Sequence, residues 1–331
     1  METKEIVGID FSKETFDVFI ETSRKHMVFR NGDYGFKQFV KWLHLSLGED
    51  LRCVHIVMEH TGIYSFLFEK FLHQDNICFS KVSGLKIKKS AGLVRGKSDK
   101  IDAKMIARYG CEKRKELKLQ KPSSEAVLQL KNLLSLRDKM VRDRAGYIAR
   151  WNEQKQFLDL SMKDILIQAQ QAVIRIFDKQ IEKVEEEIET IIKSDEALHQ
   201  NFKLLKSITG VGMVTATYLI AFTENFTAFE TSRQFACYSG IAPFPYESGI
   251  SVKAKTKVSV YGYKKLKTLL HLCALSAMKH NPEIKEYYER RTVQGKNKMS
   301  TLNIIRNKIL SRMFAVVARK SEYKIEWLHA A

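Results

Sequence analysis

EIVGIDFSKETFDVFI, residues 5–20, is the stretch whose reading decides the fold. An apolar run ends in an acid, Asp10. A polar turn follows, then an alternating run with Phe16, Val18 and Ile20 on one side. That is the pattern of two strands joined by a short turn. KHMVFRNGDYG (25–35) adds a third strand and a further turn, so the N-terminus reads as an antiparallel meander. Outward from there, YGFKQFVKWLHL (34–45) has helical spacing. CVHIVMEH (53–60) is a buried strand that again ends in an acid, Glu59. IYSFLFEKFLHQ (63–74) reads as a helix and NICFSKV (76–82) as a strand. This alternation predicts an α/β sheet domain over residues 1–122.

The stretch KSDKIDAKMIARYG (97–110) puts Asp99 and Asp102 three positions apart at a helix start, hence on one face. They are either an N-terminal helix cap, with Asp99 after Ser98 complementing the helix dipole, or ligands for a metal ion. After KPSSEAVLQL (121–130), with Ser123 or Ser124 as N-cap, helical periodicity runs on. Ile167, Ile174, Phe177, Ile181, Val184, Ile188 and Ile191 fall alternately at heptad a and d positions, with Gln170 the one polar interruption. Residues 123–200 therefore read as a helical coiled-coil connector, or else as two ordinary bundle helices. Residues 201–331 read as a second compact, mostly α-helical domain.

The 331 residues carry 56 Lys and Arg against 38 Asp and Glu, a net charge of +18 that favours a polyanionic partner. The basic residues cluster. Lys97, Lys100 and Lys104 surround the acidic pair, while Lys253, Lys255, Lys257, Lys264 and Lys265 mark the C-terminal domain. Such side chains hold backbone phosphates rather than read bases. Five cysteines without CxxC spacing suggest neither a zinc site nor a disulfide framework, and Cys78 and Cys273 read as core. With no apolar leader and no run long enough to span a bilayer, the expectation is a cytoplasmic, nucleoid-associated protein without membrane contact.

Asp10 and Glu59 both end strands, and ligands bind at the carboxyl ends of strands in an open α/β sheet. Four converging carboxylates require cations, and oxygen-only ligation suits Mg²⁺ or Mn²⁺. Two such ions would serve phosphodiester chemistry. A strand with Asp, a meander, a strand with Glu and a helix with DxxD is the order used by the RNase H-like superfamily in its RuvC branch. SITGVGMVTA (207–216) is a helix-hairpin-helix pattern; Gly210 and Gly212 either meet a phosphate or simply turn the chain. Tyr238, Phe244 and Tyr246 either stack bases or pack the fold.

VGIDFSKETFDV, MEHTGIY, VRGKSDKIDAKMIARYG and, later, SITGVGMVTATYLIAF and FACYSGIAPFPYESG resemble the DEDD-type transposases of the insertion sequence 110 family, which includes the pilin-gene invertases. The resemblance spans nearly the whole chain. It implies a RuvC-like domain, a coiled-coil connection and a C-terminal transposase domain. It carries the family's metal-site acids onto Asp10, Glu59, Asp99 and Asp102. It also implies a serine nucleophile that links covalently to DNA; the best match is Ser248, with Ser239 and Ser251 as competitors. Here Glu247 and Ile250 flank the Ser248–Gly249 pair, where the family has a serine- and glycine-rich run, and Val260 and Tyr261 stand at positions that are basic in the family. The resemblance further implies homodimers or homotetramers, donor and target DNA, and a non-coding bridge RNA as guide. The expected function is a DNA recombinase. Its rivals are a structure-specific junction endonuclease that uses water, a non-catalytic basic nucleic-acid-binding protein, and an actin-like sugar kinase. The last is disfavoured because no second glycine-rich phosphate loop follows.

Overall fold

The computed structural model describes residues 5–60, 62–92, 96, 98–158, 164–248 and 252–324. The chain divides into two compact units, Met1–Pro122 and Ser123–Ala331.

The first unit is built on a five-stranded sheet of β1 (Glu5–Phe11), β2 (Thr15–Ile20), β3 (His26–Arg30), β4 (Val54–Glu59) and β5 (Cys78–Val82). The strand order is β3-β2-β1-β4-β5. The meander strands pair antiparallel, while β4 runs parallel to both β1 and β5. This mixed sheet is consistent with an RNase H-like arrangement. One face carries Val7, Ile9, Phe16, Val18, Ile56 and Met58 against α1 (Asp33–Leu47) and α2 (Phe66–Gln74). Its centre is aromatic: the Phe16 ring lies 5.1 Å from Phe68 and 5.8 Å from Phe39. The other face packs Ile6, Val57 and Phe19 against α4 (Asp99–Glu112). Both faces are covered, which is why β1 and β4 read as near-continuous apolar runs rather than as alternating ones.

The seat of α4 is cut by small residues. Phe19 packs on Ala103 and Ala107. A methyl group on Gly8 would stand 2.3 Å from the Ala107 amide nitrogen and 2.4 Å from the Ala103 carbonyl oxygen. One on Gly110 would press on Ile6 and Val57. The helix backbone thus lies directly on β1. Backbone cannot yield as a flexible side chain does, so Gly8→Ala should lift α4 off the sheet. Overpacking of this kind costs on the order of 1–3 kcal/mol or more. We expect a lowered unfolding midpoint in urea and, because α4 carries two of the acids, weakened divalent-metal binding in calorimetry.

The second unit opens with α5 (Glu125–Phe157) and α6 (Ile165–Ser194). Its remaining elements are α7 (Glu196–Lys206), α8 (Met213–Phe222), α9 (Ser232–Tyr238), β6 (Pro243–Ser248), β7 (Val252–Val258), α10 (Lys264–His280), α11 (Pro282–Val293) and α12 (Lys298–Arg319). Cross-links between α5 and α6 join Arg137 to Glu185, Arg144 to Asp178 and Gln154 to Gln170, so the two helices run antiparallel. The heptad residues Ile167, Ile188 and Ile191 are buried. Ile174, Phe177, Ile181 and Val184 are half-buried. Gln170 is buried too, and donates to Gln154 Oε1 at 2.6 Å. Val127, Leu130 and Leu134 of α5 share one core with Leu219, Leu270 and Ile309, so the base of the helix pair belongs to the C-terminal body.

One element departs from the expected run of helices. β6 and β7 form a two-stranded antiparallel ribbon, irregular between Phe244 and Tyr246. Pro243 and Pro245 remove backbone donors, and isolated two-stranded ribbons tolerate proline at their edges.

Candidate active site

Ser98 caps α4, its hydroxyl accepting from the Ile101 amide at 3.3 Å. With Ser98 as the cap, Asp99 and Asp102 fall in the first turn, where the helix dipole favours negative charge. The close seat on Gly8 brings that turn to the end of β1. Carboxylate oxygens of Asp10, Asp99 and Asp102 all lie within 4.8 Å of one another. Asp10 and Asp102 are half-buried and Asp99 is exposed. Burial, reinforced by Asp102, Asp99, Glu59 and Asp17 in that order, pushes the Asp10 carboxyl from 3.8 up to about 7.

Glu59 behaves differently. Its strand lies beside β1, with Ile9 paired to Met58, so it ends on the same rim as Asp10. Its carboxylate, however, rests against Gly84 at the start of α3 (Gly84–Ser90): a methyl group there would stand 1.9 Å from Glu59 Oε1. Three of the four expected acids therefore converge, while Glu59 stands outside the trio but close enough to raise the Asp10 carboxyl.

A fifth acid escaped the sequence reading. Asp17 lies opposite Asp10 across the β1–β2 ladder, is 7% exposed, and has its Oδ1 2.7 Å from His26 Nε2. The signal was available: an aspartate inside the apolar run TFDVFI, on the same strand face as Phe19, needs a partner if both sheet faces are covered.

The trio fits a divalent cation on its own chemistry. Hard carboxylate oxygens converge, and burial first, then their mutual repulsion, raises the Asp10 carboxyl. Around them Lys100 and Lys104 are exposed. Lys97 lies outside the described residues. Three other cations between residues 81 and 118 have acidic partners, one of them buried and two at the surface. Lys81 pairs with the buried Glu69 at 2.8 Å, Arg108 with Glu112 at 2.7 Å and Lys113 with Glu116 at 2.9 Å.

In the second unit Ser248 ends β6 opposite Val252. Its side chain, like those of Tyr246, Lys253 and Lys255, lies outside the described residues, as does the whole of Ser251. Ser239 is fully buried and its hydroxyl donates to the Ala236 carbonyl at 3.3 Å. Lys257 and Lys264 are exposed, whereas Lys265 donates to Asp138 at 2.6 Å. Gly210 has φ +94 and lies on α10, where a methyl group would meet the Cys273 carbonyl oxygen at 2.6 Å. That glycine serves packing. Gly212 is exposed at the start of α8. Tyr238 and Phe244 are exposed, with the Arg233 guanidinium 5.5 Å from the Phe244 ring centre.

Two family models match the chain, one in each part. A transposase model of the DEDD type of insertion sequence IS110 matches residues 7–162, and the model described as "Transposase IS116/IS110/IS902 family" matches residues 202–289. The chain belongs to the IS110 family of transposases. The pilin gene-inverting proteins of Moraxella lacunata and Moraxella bovis are each 26% identical to it over 97% of this chain and 98% of their own length. An insertion element IS110 protein of 43.6 kDa from Streptomyces coelicolor is 26% identical over 49% of this chain and 38% of its own length.

As an IS110-family transposase the chain is an enzyme that acts on DNA. The family's DEDD type implies divalent-metal use, and the Asp10, Asp99 and Asp102 cluster supplies donors suited to it. No helix among the described residues is long and apolar enough to cross a membrane.

Proposed function

We propose that this IS110-family transposase cuts and rejoins DNA through a RuvC-like acidic centre and a covalent phosphoserine link. The observation that carries the reading is the convergence of Asp10, Asp99 and Asp102 at the carboxyl end of β1. In this reading Asp10, Asp99 and Asp102 hold Mg²⁺ or Mn²⁺, with Glu59 turning in from Gly84 to complete the set. A bound divalent ion supplies charge neutralisation at the scissile phosphate. Lys100 and Lys104 draw the DNA backbone to the same rim. Ser248 Oγ attacks phosphorus. A serine–phosphorus ester forms, one deoxyribose–phosphate bond breaks, the departing sugar hydroxyl takes a proton, and the hydroxyl of the exchanged strand later reverses the step.

Supporting residues follow from the same reading. Lys253, Lys255, Lys257 and Lys264 hold phosphates beside the ribbon, and the exposed Gly212 amide at the start of α8 meets one in a helix-hairpin-helix manner. The α5–α6 pair serves as the coiled-coil connector, and the family resemblance implies assembly into dimers or tetramers. The bridge RNA rests on the family resemblance, and the +18 charge permits it. On this reading the protein works in the cytoplasm on the nucleoid.

The test is strand cleavage and rejoining by the purified protein on DNA that carries the ends of its own element. Products are expected with Mg²⁺ and none with chelator, and binding should weaken steeply with salt. Removal of the proposed RNA with ribonuclease should abolish targeting. Cleavage that leaves no protein attached to DNA would favour the water-using junction endonuclease instead.

A further inference from the structure

In the second unit a cleft of about 510 Å³ opens between α5, α8 and the start of α10. Its walls differ in chemistry. On one side stand aromatic rings: Tyr218 stacks on Phe222 at 5.4 Å and 11°, and Phe222 meets Tyr263 at 4.9 Å. Tyr263 lies parallel to Tyr238, at 6.0 Å and 11°. At the other side α5 contributes the exposed Arg142 and Lys131, whose charge is paired with Glu224. Between them is Asp138, which accepts from the Tyr218 hydroxyl at 2.5 Å and from Lys265 Nζ at 2.6 Å.

The aromatic wall is braced. The Tyr263 amide donates to the Tyr238 carbonyl at 2.9 Å. Gly240, at φ +71, lies so close to Gly262 that a methyl group on Gly262 would stand 2.2 Å from the Gly240 Cα. That contact locks the turn before β6 onto the turn after β7. Tyr263 nevertheless stays 37% exposed and Tyr238 40% exposed. Core tyrosines would be covered. Rigid rings left open beside cations make a surface for stacking flat aromatic ligands.

We propose that this cleft binds an unpaired nucleotide of the DNA substrate, its base against Tyr263 and its phosphate at Arg142. The size suits one nucleotide, since small-molecule clefts run from roughly 300 to 1,000 Å³. Asp138 adds an acceptor for an exocyclic amino group. Base stacking tolerates any sequence, because every base has an aromatic face. The site lies at the base of the ribbon whose first strand ends in Ser248. The inference rests on the DNA-recombinase reading above.

The experiment compares blunt duplex, duplex with a single-stranded DNA tail and duplex with a single-stranded RNA tail, the tail carrying a fluorescent purine analogue. The wild-type protein should bind the DNA-tailed duplex about ten-fold more tightly than the blunt one and quench the analogue. Tyr263→Leu should lose that preference and the quench while binding blunt duplex as before, and Tyr263→Phe should keep both. If Tyr263→Leu does not fold, Arg142→Gln on the exposed rim should reduce the preference. Equal tail preference in wild type, Tyr263→Leu and Arg142→Gln overturns the proposal, and so does a stronger preference for the RNA tail. Tail preference without any Mg²⁺-dependent cleavage would retain the cleft and sink the catalytic reading alone.

Discussion

Asp10→Asn will abolish DNA strand cleavage and, in the metal-free protein, raise stability at pH 8. The first effect follows from its place in the trio. Asp10 is the acid that the sheet itself positions, between Asp99 and Asp102 on α4 and Asp17 on β2. Its loss should lower the rate at least about a thousand-fold, roughly 4 kcal/mol at 1.4 kcal/mol per decade. The second effect follows from linkage. The folded carboxyl sits at about 7, raised by burial first and by its acidic neighbours second, against 3.8 for the ordinary group. Between those values the folded protein binds more protons than the unfolded chain. Stability must therefore fall as pH rises from about 4 to about 7, and stay low above that. Because Asp10 is only half-buried, solvent screening cuts the loss to about 1–2 kcal/mol. Urea melts at pH 5 and pH 8 measure it. The wild type should be weaker at pH 8, Asp10→Asn should show less of that decline, and Mg²⁺ should stabilise the wild type more than the variant. A variant that still cleaves, or that keeps the full decline, would overturn this account of the site.

The sheet was legible because its signals are local. Each strand reads as a short apolar run, and the acids at residues 10 and 59 fall at or one residue before the end of two of them. The helix start was legible too, although Ser98 rather than either aspartate accepts the capping hydrogen bond. Distant pairings were not. Lys265 reads as a phosphate contact until Asp138, 127 positions earlier, is found beside it. Lys81 belongs to a basic stretch, but its charge is spent on Glu69. A count of basic residues cannot separate cations held inside the fold from those offered to DNA. The departure of Glu59 from the trio is also non-local, because it depends on the space that Gly84 leaves open. The β6–β7 ribbon escaped for another reason. Its prolines lower strand propensity, and the surrounding helical periodicity dominates the window.

The seat of α4 links these levels. Gly8, Ala103, Ala107 and Gly110 carry no chemistry, yet they decide whether the acids meet. A helix held off by one methyl group would carry Asp99 and Asp102 away from Asp10, and no local feature of the acidic motif would report it. The DxxD spacing places two acids on one helix face; the small residues then determine where that face lies.

Ser248→Ala should remove the covalent protein–DNA product altogether and lower strand transfer by at least about a thousand-fold, as expected when a nucleophile is lost. The chain has two Ser–Gly pairs in this region, at 239–240 and 248–249. The structure spends the first on the fold. Ser239 is fully buried at the end of α9, its hydroxyl bound to Ala236, and Gly240 is pressed against Gly262. A hydroxyl in that position cannot reach a phosphate without unfolding the turn. Ser248 instead ends the first strand of the two-stranded ribbon, opposite the lysine-alternating strand β7. Ser239→Ala should therefore change stability by about 1 kcal/mol through its lost hydrogen bond and leave the covalent product intact. Ser248→Ala should do the reverse, with stability within about 0.5 kcal/mol of wild type. Denaturing gels of protein trapped on labelled DNA, run for both variants, separate the assignments. A covalent band that survives in Ser248→Ala would pass the role to another hydroxyl. Undiminished cleavage with no such band in either protein would leave water as the nucleophile and make the enzyme a nuclease.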